Sequence, residues 1–155
     1  MHSSPTKRIS VFLAQILKDW MEDLENIDSG NWTSLRDNFQ LIFQLKNQNR
    51  FKNIITRDFE SLYTKFSHQE ILNAIEYLNN NILPIPKHYG LTFAKYKFML
   101  NKVISFNYFK ALGKIYKQKN GIAMETNATV QIAQLICYAH EHKAIKRGIF
   151  EKIFF

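Results

Sequence analysis

The sequence predicts an all-α fold of about seven or eight helices, packed as antiparallel helical hairpins in a bundle or a short α-solenoid. Three observations predict it. Apolar residues recur every three to four positions through most of the 155 residues. Capping residues and glycines punctuate that pattern at intervals of one helix length. No segment shows the sustained alternation of apolar and polar residues that a half-buried strand requires, so no sheet is expected.

In chain order, Ser4-Pro5 is a good helix opening, with serine as cap and proline in the first turn. Ile9, Phe12, Leu13, Ile16, Trp20, Leu24 and Ile27 then form a stripe, and Asp19, Glu22, Asp23 and Glu25 make the outer face acidic. Lys7-Arg8 before Ile9–Leu17 loosely resembles a signal peptide, and the early Ser, Thr, Lys and Arg content loosely suits an organellar presequence. Ser10 and Gln15 interrupt the apolar run, however, and no small-residue cleavage site follows. A second helix is expected over Thr33–Lys46 and a third over Phe51–Lys65. Ser67-His68-Gln69-Glu70 has the pattern of a capping box, flanked by Phe66 and Ile71 at staple positions, so a fourth helix should begin at His68. His68 itself reads as a solvated first-turn residue.

Leu83-Pro84-Ile85-Pro86 cannot continue that helix. The connection, residues 82–91, is the expected site of a bend or a mobile loop within one domain spanning 1–155. Two further helices are expected over Thr92–Ser105 and Phe106–Lys119, closed by Gly121. A seventh carries Val130, Ala133, Ile136 and Cys137, and a last one runs over Lys143–Phe154.

Charge is the main functional signal. The 21 Lys and Arg exceed the 13 Asp and Glu, for a net charge of +8. That balance points to nucleic acid, an acidic protein or an anionic membrane surface. Lys far outnumbers Arg and Asn and Ile are abundant, a mixture that an AT-rich coding sequence would also give. No acidic residue occurs between Glu76 and Glu125, whereas Lys87, Lys95, Lys97, Lys102, Lys110, Lys114, Lys117 and Lys119 all fall there, threaded with aromatic residues. Cations neutralise phosphates and rings stack on bases. On helices, Lys95 and Lys102 form one row and Lys110, Lys114 and Lys117 another. The expected polyanion-binding residues are therefore Lys95, Lys97, Lys102, Lys110, Lys114, Lys117 and Lys119, with Tyr96 and Tyr116 as stacking rings if exposed.

Enzymatic and metal motifs are poor. There is no glycine-rich phosphate loop, and His140-Glu141-His142 has the wrong spacing for two imidazoles on one helical face. Cys137, His140 and His142 lack a fourth zinc ligand. The histidines read as helix-end residues and Cys137 as a small core residue. No cofactor, metal or catalytic residue is expected. The single cysteine suits a reducing, intracellular compartment, and a secreted effector remains open.

Asn73-Ala74-Ile75-Glu76-Tyr77-Leu78, Lys110-Ala111-Leu112-Gly113-Lys114-Ile115-Tyr116 and Lys143-Ala144-Ile145-Lys146-Arg147-Gly148-Ile149-Phe150 look alike. Over about residues 51–155 the chain resembles the tetratricopeptide and pentatricopeptide class of helical-hairpin repeats. Lys110–Ile122 is similar to the end of a pentatricopeptide unit and Leu135–Phe150 to the middle of the next. The resemblance implies RNA lying along the first helices of the hairpins, which suits Lys95, Lys97 and Lys102 and places Lys110, Lys114 and Lys117 on the other layer. The expected function is a non-enzymatic binding module contacting RNA or DNA. The alternative is a protein-interaction adaptor or effector that uses a groove between helices.

Overall fold

The computed structural model describes residues 6–29, 58–124 and 126–149, together with Phe39, Ile42, Phe43 and Lys46. Five α-helices occur among them: α1 (Lys7–Ile27), α2 (Leu62–Lys65), α3 (His68–Asn81), α4 (Phe93–Ser105) and α5 (Thr129–Lys146). A 3-10 turn (Lys87–Tyr89) precedes α4, and two strands, β1 (Tyr108–Ala111) and β2 (Lys114–Lys117), follow it. The chain is mostly helical, as its periodicity predicts. Ser4-Pro5 and most of the expected second helix lie outside the described residues, although Phe39, Ile42, Phe43 and Lys46 are helical. Of the expected third helix residues 58–65 are described: 58–61 are not helical, with Ser61 at φ 57 and Phe59 exposed, and only Leu62–Lys65 form a helix, α2.

The core is built by four long helices. α1 and α3 each pack against both α4 and α5. α1 buries Leu13, Leu17, Trp20 and Leu24, positions four, three and four residues apart that hold one face of a helix. Ile9, Phe12 and Ile27, expected on that face, are exposed instead. Of the stretch that loosely resembles a signal peptide, Leu13, Ile16 and Leu17 are buried in the core, whereas Ile9, Val11 and Phe12 are exposed. α3 contributes Ile71, Ala74, Ile75 and Leu78, α4 contributes Tyr96, Leu100, Val103 and Ile104, and α5 contributes Ile132, Leu135, Ile136 and Ala139.

The capping box at Ser67 is present in both directions. The Glu70 amide donates to Ser67 Oγ at 3.2 Å, and the Ser67 amide donates to Glu70 Oε2 at 2.8 Å. Local chemistry therefore starts α3 where the sequence predicts. His68 differs from expectation: it is half-buried, with Nε2 shielded and without a partner among the described residues. Burial is the main cause that depresses its pKa.

The proline connection is anchored rather than loose. The Trp20 indole donates to the Leu83 carbonyl at 3.1 Å. The Ile85 amide donates to Asn79 Oδ1 at 3.1 Å, and the Ile85 side chain is buried. The Tyr89 hydroxyl donates to Asp19, and its ring meets Phe12 edge-on at 5.7 Å. These contacts tie the connection to α1 and set the position from which α4 departs.

Two corrections follow from the C-terminal half. Residues 106–119 are not a helix but carry an antiparallel β-hairpin, with Tyr108 opposite Lys117, Phe109 opposite Tyr116, Lys110 opposite Ile115 and Ala111 opposite Lys114. Leu112 (φ 50) and Gly113 (φ 77) form its two-residue turn. Positive φ at both central residues is the type I′ signature, whose twist matches that of the flanking strands. Tyr108, Phe109, Ile115 and Tyr116 are residue types that favour strands, and this preference decides the local structure. The second correction concerns the end of the chain: α5 runs unbroken through His140–Lys143, so the two expected helices are one, and the helix stops at Lys146. Gly148 follows with φ 67. The three similar segments of the sequence consequently adopt different structures: Asn73–Leu78 is helical, Lys110–Tyr116 is the β-hairpin, and 143–149 is a helix end and turn.

Candidate polyanion-binding face

The face begins on α4. Thr92 caps this helix, its hydroxyl accepting from the Lys95 amide at 3.4 Å. With Tyr96, Leu100, Val103 and Ile104 turned into the core, the opposite side presents Lys95, Phe98 and Asn101 to solvent, with Lys102 half-buried beside them. Phe98 is 61 % exposed, a large apolar area to leave in water at the centre of a helix.

Lys102 joins α4 to the segment that follows. Its Nζ lies 5.1 Å from the centre of the Phe98 ring and 4.8 Å from that of Phe106. Lys117 of β2 places its Nζ 5.6 Å from the same Phe106 ring. Ring, cation, ring and cation thus alternate from the helix to the β-hairpin. Each such contact is worth about 0.5–1 kcal/mol at an exposed site, enough to orient the ammonium groups without neutralising them. Among the described residues the lysine–carboxylate ion pairs are Lys65–Glu60 and Lys97–Glu76, so Lys95, Lys102, Lys110, Lys114, Lys117 and Lys119 have no acidic partner there.

The β-hairpin divides its lysines between two faces, because directly opposed residues share a face and successive residues alternate. Lys110 and Lys117 lie with Tyr108 and Ile115; Lys114 lies with Ala111, Phe109 and Tyr116. The rings of Phe109 and Tyr116 stack with centres 5.5 Å apart and planes at 19°. Nearly every side chain of the β-hairpin is exposed, Ala111 being half-buried. Among the described residues its main-chain bonds to the rest of the fold lie at its base. There the Gln118 amide donates to the Asn107 carbonyl at 2.9 Å, and the Gly121 and Ile122 amides donate to the Phe66 and Tyr63 carbonyls, both at 2.7 Å. Gly121 is needed at that joint. It has φ 81, and a Cβ there would overlap the Tyr63 carbonyl oxygen and come within 2.7 Å of Thr64 Cα.

The structure redistributes the residues expected from the sequence. Lys95 and Lys102 share the outer side of α4 as predicted. Lys97 instead forms an ion pair with Glu76 on α3, Nζ to Oε2 2.7 Å, and helps fasten α4 to α3. Lys110, Lys114 and Lys117 do not form one helical row, since strand geometry sends Lys114 to the opposite face. Lys119 is exposed just beyond β2. Tyr96 cannot stack on a ligand: it is 1 % exposed, its ring lies 6.4 Å from Trp20, and burial raises its phenol pKa. Tyr116 is exposed and already stacked on Phe109. Sequence reasoning missed Phe98, Phe106 and Phe109 as exposed rings, and Leu112 at the turn. The cue was a Leu-Gly pair between Tyr108-Phe109 and Ile115-Tyr116, which fits a two-residue turn between strands.

The region around Cys137 is chemically different. His142 is buried on α5, with Tyr77 Oη 3.0 Å from its Nδ1 and Asp28 Oδ2 3.7 Å from its Nε2. His140 stacks on Phe66 with centres 6.2 Å apart. Neither histidine ends a helix, contrary to expectation. Cys137 is half-buried, and burial raises its thiol pKa, which disfavours the nucleophilic thiolate. No group of three or more His, Cys, Asp and Glu suited to a metal occurs among the described residues. No described helix is long and apolar enough to cross a membrane.

Comparisons of the chain with protein-family models, with curated proteins and with solved structures gave no match.

Proposed function

We propose that the protein is a non-enzymatic nucleic-acid-binding module whose contact surface is the outer side of α4 together with the β-hairpin. The observation that carries this reading is the series Phe98, Lys102, Phe106 and Lys117, in which the half-buried Lys102 lies among exposed neighbours. Its cations have no acidic partner among the described residues, and no acid occurs in the 48 positions between Glu76 and Glu125. Lysines held over rings present an ordered positive surface to phosphates, and the ring area beside them suits stacked bases. Lys95, Lys110, Lys114 and Lys119 extend that surface. Lys97 has a structural task instead.

Fluorescence anisotropy with labelled single strands and duplexes of DNA and RNA tests it. If Lys102, Lys110, Lys114 and Lys117 each meet a phosphate, log K should fall against log salt with a slope of about −3.6 on B-DNA, or about −0.9 per contact. Removing Lys102 and Lys117 together should flatten the slope by about two such contacts. Absence of binding to any of these strands at low salt would overturn the proposal.

A protein-interaction role is the second reading, favoured by one observation: among the described residues the β-hairpin pairs with no third strand, so none of them occupies an edge that a partner strand would use. An acidic extended peptide fits that surface by charge. Such binding would weaken less steeply with salt than duplex binding.

A further inference from the structure

We infer that the β-hairpin enters a groove of double-stranded DNA tip first, with Leu112 as an apolar wedge against a base step. This rests on the nucleic-acid reading above and names the form of the ligand. The starting point is Leu112 itself. At φ 50 it occupies a turn position where asparagine, aspartate or glycine is favoured. It is also 96 % exposed. A branched apolar side chain there is unfavourable to the turn and to hydration alike, and its exposure leaves it almost no packing within the fold. A contact with another molecule would supply the burial that the fold does not. Ile115, three residues on and 76 % exposed, continues the apolar tip.

The arrangement of charge identifies the occupant. Lys110 and Lys117 leave one face of the ribbon, and Lys114 leaves the other. A flat anionic surface such as a bilayer would be met by cations on a single face. A duplex groove has a phosphate backbone on each side, which matches cations on both. Strands about 4.8 Å apart form a ribbon that fits the major groove of B-form DNA, about 12 Å wide, whereas the major groove of A-form RNA is too narrow for side chains to read. Apolar side chains pressed between bases unstack the step and kink the duplex, as minor-groove proteins do; here the wedge would act from the major-groove side.

The variant Leu112→Asn separates this role from folding, because asparagine suits the turn better than leucine. Circular dichroism of the 155-residue chain should show an unchanged or raised thermal midpoint. A duplex of about 20 base pairs, with a fluorophore at each end and 2-aminopurine at a central step, reports bending and unstacking. Wild type should raise both energy transfer and 2-aminopurine emission. Leu112→Asn should bind roughly tenfold more weakly, as expected for losing a buried leucine, and should abolish both signals. Equal duplex binding by the two proteins without either signal would overturn the wedge and leave the polyanion surface standing. Binding to single strands but not duplexes would do the same. Binding to phosphatidylserine vesicles in preference to duplex, and sensitive to Leu112→Asn, would overturn it by placing the tip in lipid. Failure to bind any nucleic acid would remove both this inference and the reading on which it rests.

Discussion

Gly121 and Ser67 show how single residues fix the geometry at the base of the candidate face. Ser67 stops the chain before α3 by offering its hydroxyl to the Glu70 amide. Gly121 lets the chain after β2 lie directly on the backbone of Tyr63 and Thr64. Gly121→Ala should cost more than about 1 kcal/mol, since the position combines positive φ with a backbone overlap; Ser67→Ala should cost about 1 kcal/mol. Urea denaturation measures both. His142 and His68 make stability depend on pH. Burial is the main cause that depresses the folded-state pKa of each below 6.5. The unfolded chain therefore binds more protons near pH 6, and stability rises with pH there. Stability from the neutral imidazoles should be fully present above pH 6.5 and be lost as pH falls from there toward the folded-state values. For His142, Tyr77, Asp28, Tyr138 and Lys146 surround the ring or act on it. Replacing His142 with Gln should reduce the difference between urea midpoints at pH 7.5 and 5.5; an unchanged difference would exclude His142 as a source.

At the scale of elements, the β-hairpin and α4 behave differently. α4 is fastened by core side chains and by the Lys97–Glu76 pair. The β-hairpin has cross-strand pairing, the Phe109–Tyr116 stack and main-chain bonds at its base. Elements with few buried contacts open well below the cost of global unfolding. Amide hydrogen exchange should therefore be faster at Phe109 and Tyr116 than at Ile75 and Leu100. Gly113→Ala, which forces a side chain to φ 77, should accelerate exchange in the β-hairpin and leave the α3 amides unchanged. Coupled acceleration in α3 would mean that the β-hairpin is part of the cooperative core.

For the molecule as a whole, α1, α3, α4 and α5 share one hydrophobic cluster, in which Trp20 and Leu100 are fully buried. Shared burial implies one cooperative transition. Leu100→Ala should destabilise by about 2–5 kcal/mol. Its unfolding should be monitored together by far-ultraviolet circular dichroism and, with Trp32→Phe leaving Trp20 as the one tryptophan, by fluorescence, with coincident midpoints expected. Separate midpoints would show that α1 leaves the core independently. The positive face lies on the outside of this body, so removing its lysines other than Lys97 should change ligand binding more than stability.

Helical class, the start of α3, the left-handed backbone at Gly121 and the acid-free positive stretch were determined by the sequence alone. They depend on local backbone chemistry, on helical periodicity and on counts of charge, all of which act over a few residues. Three matters were decided only by tertiary structure. Lys97 is spent on Glu76 because α3 and α4 meet there, a contact 21 residues apart along the chain. Tyr96 is buried while Phe98 and Phe106 are exposed, because the core closes on one side of α4 and an aromatic residue is equally at home in a core or beside a cation. Residues 108–117 carry both an acceptable helical spacing and strand-favouring side chains, and periodicity in so short a segment does not separate the two. With no core surface to cover, the segment follows its strand propensity and its Leu-Gly turn, and this sends Lys110 and Lys117 to one side and Lys114 to the other.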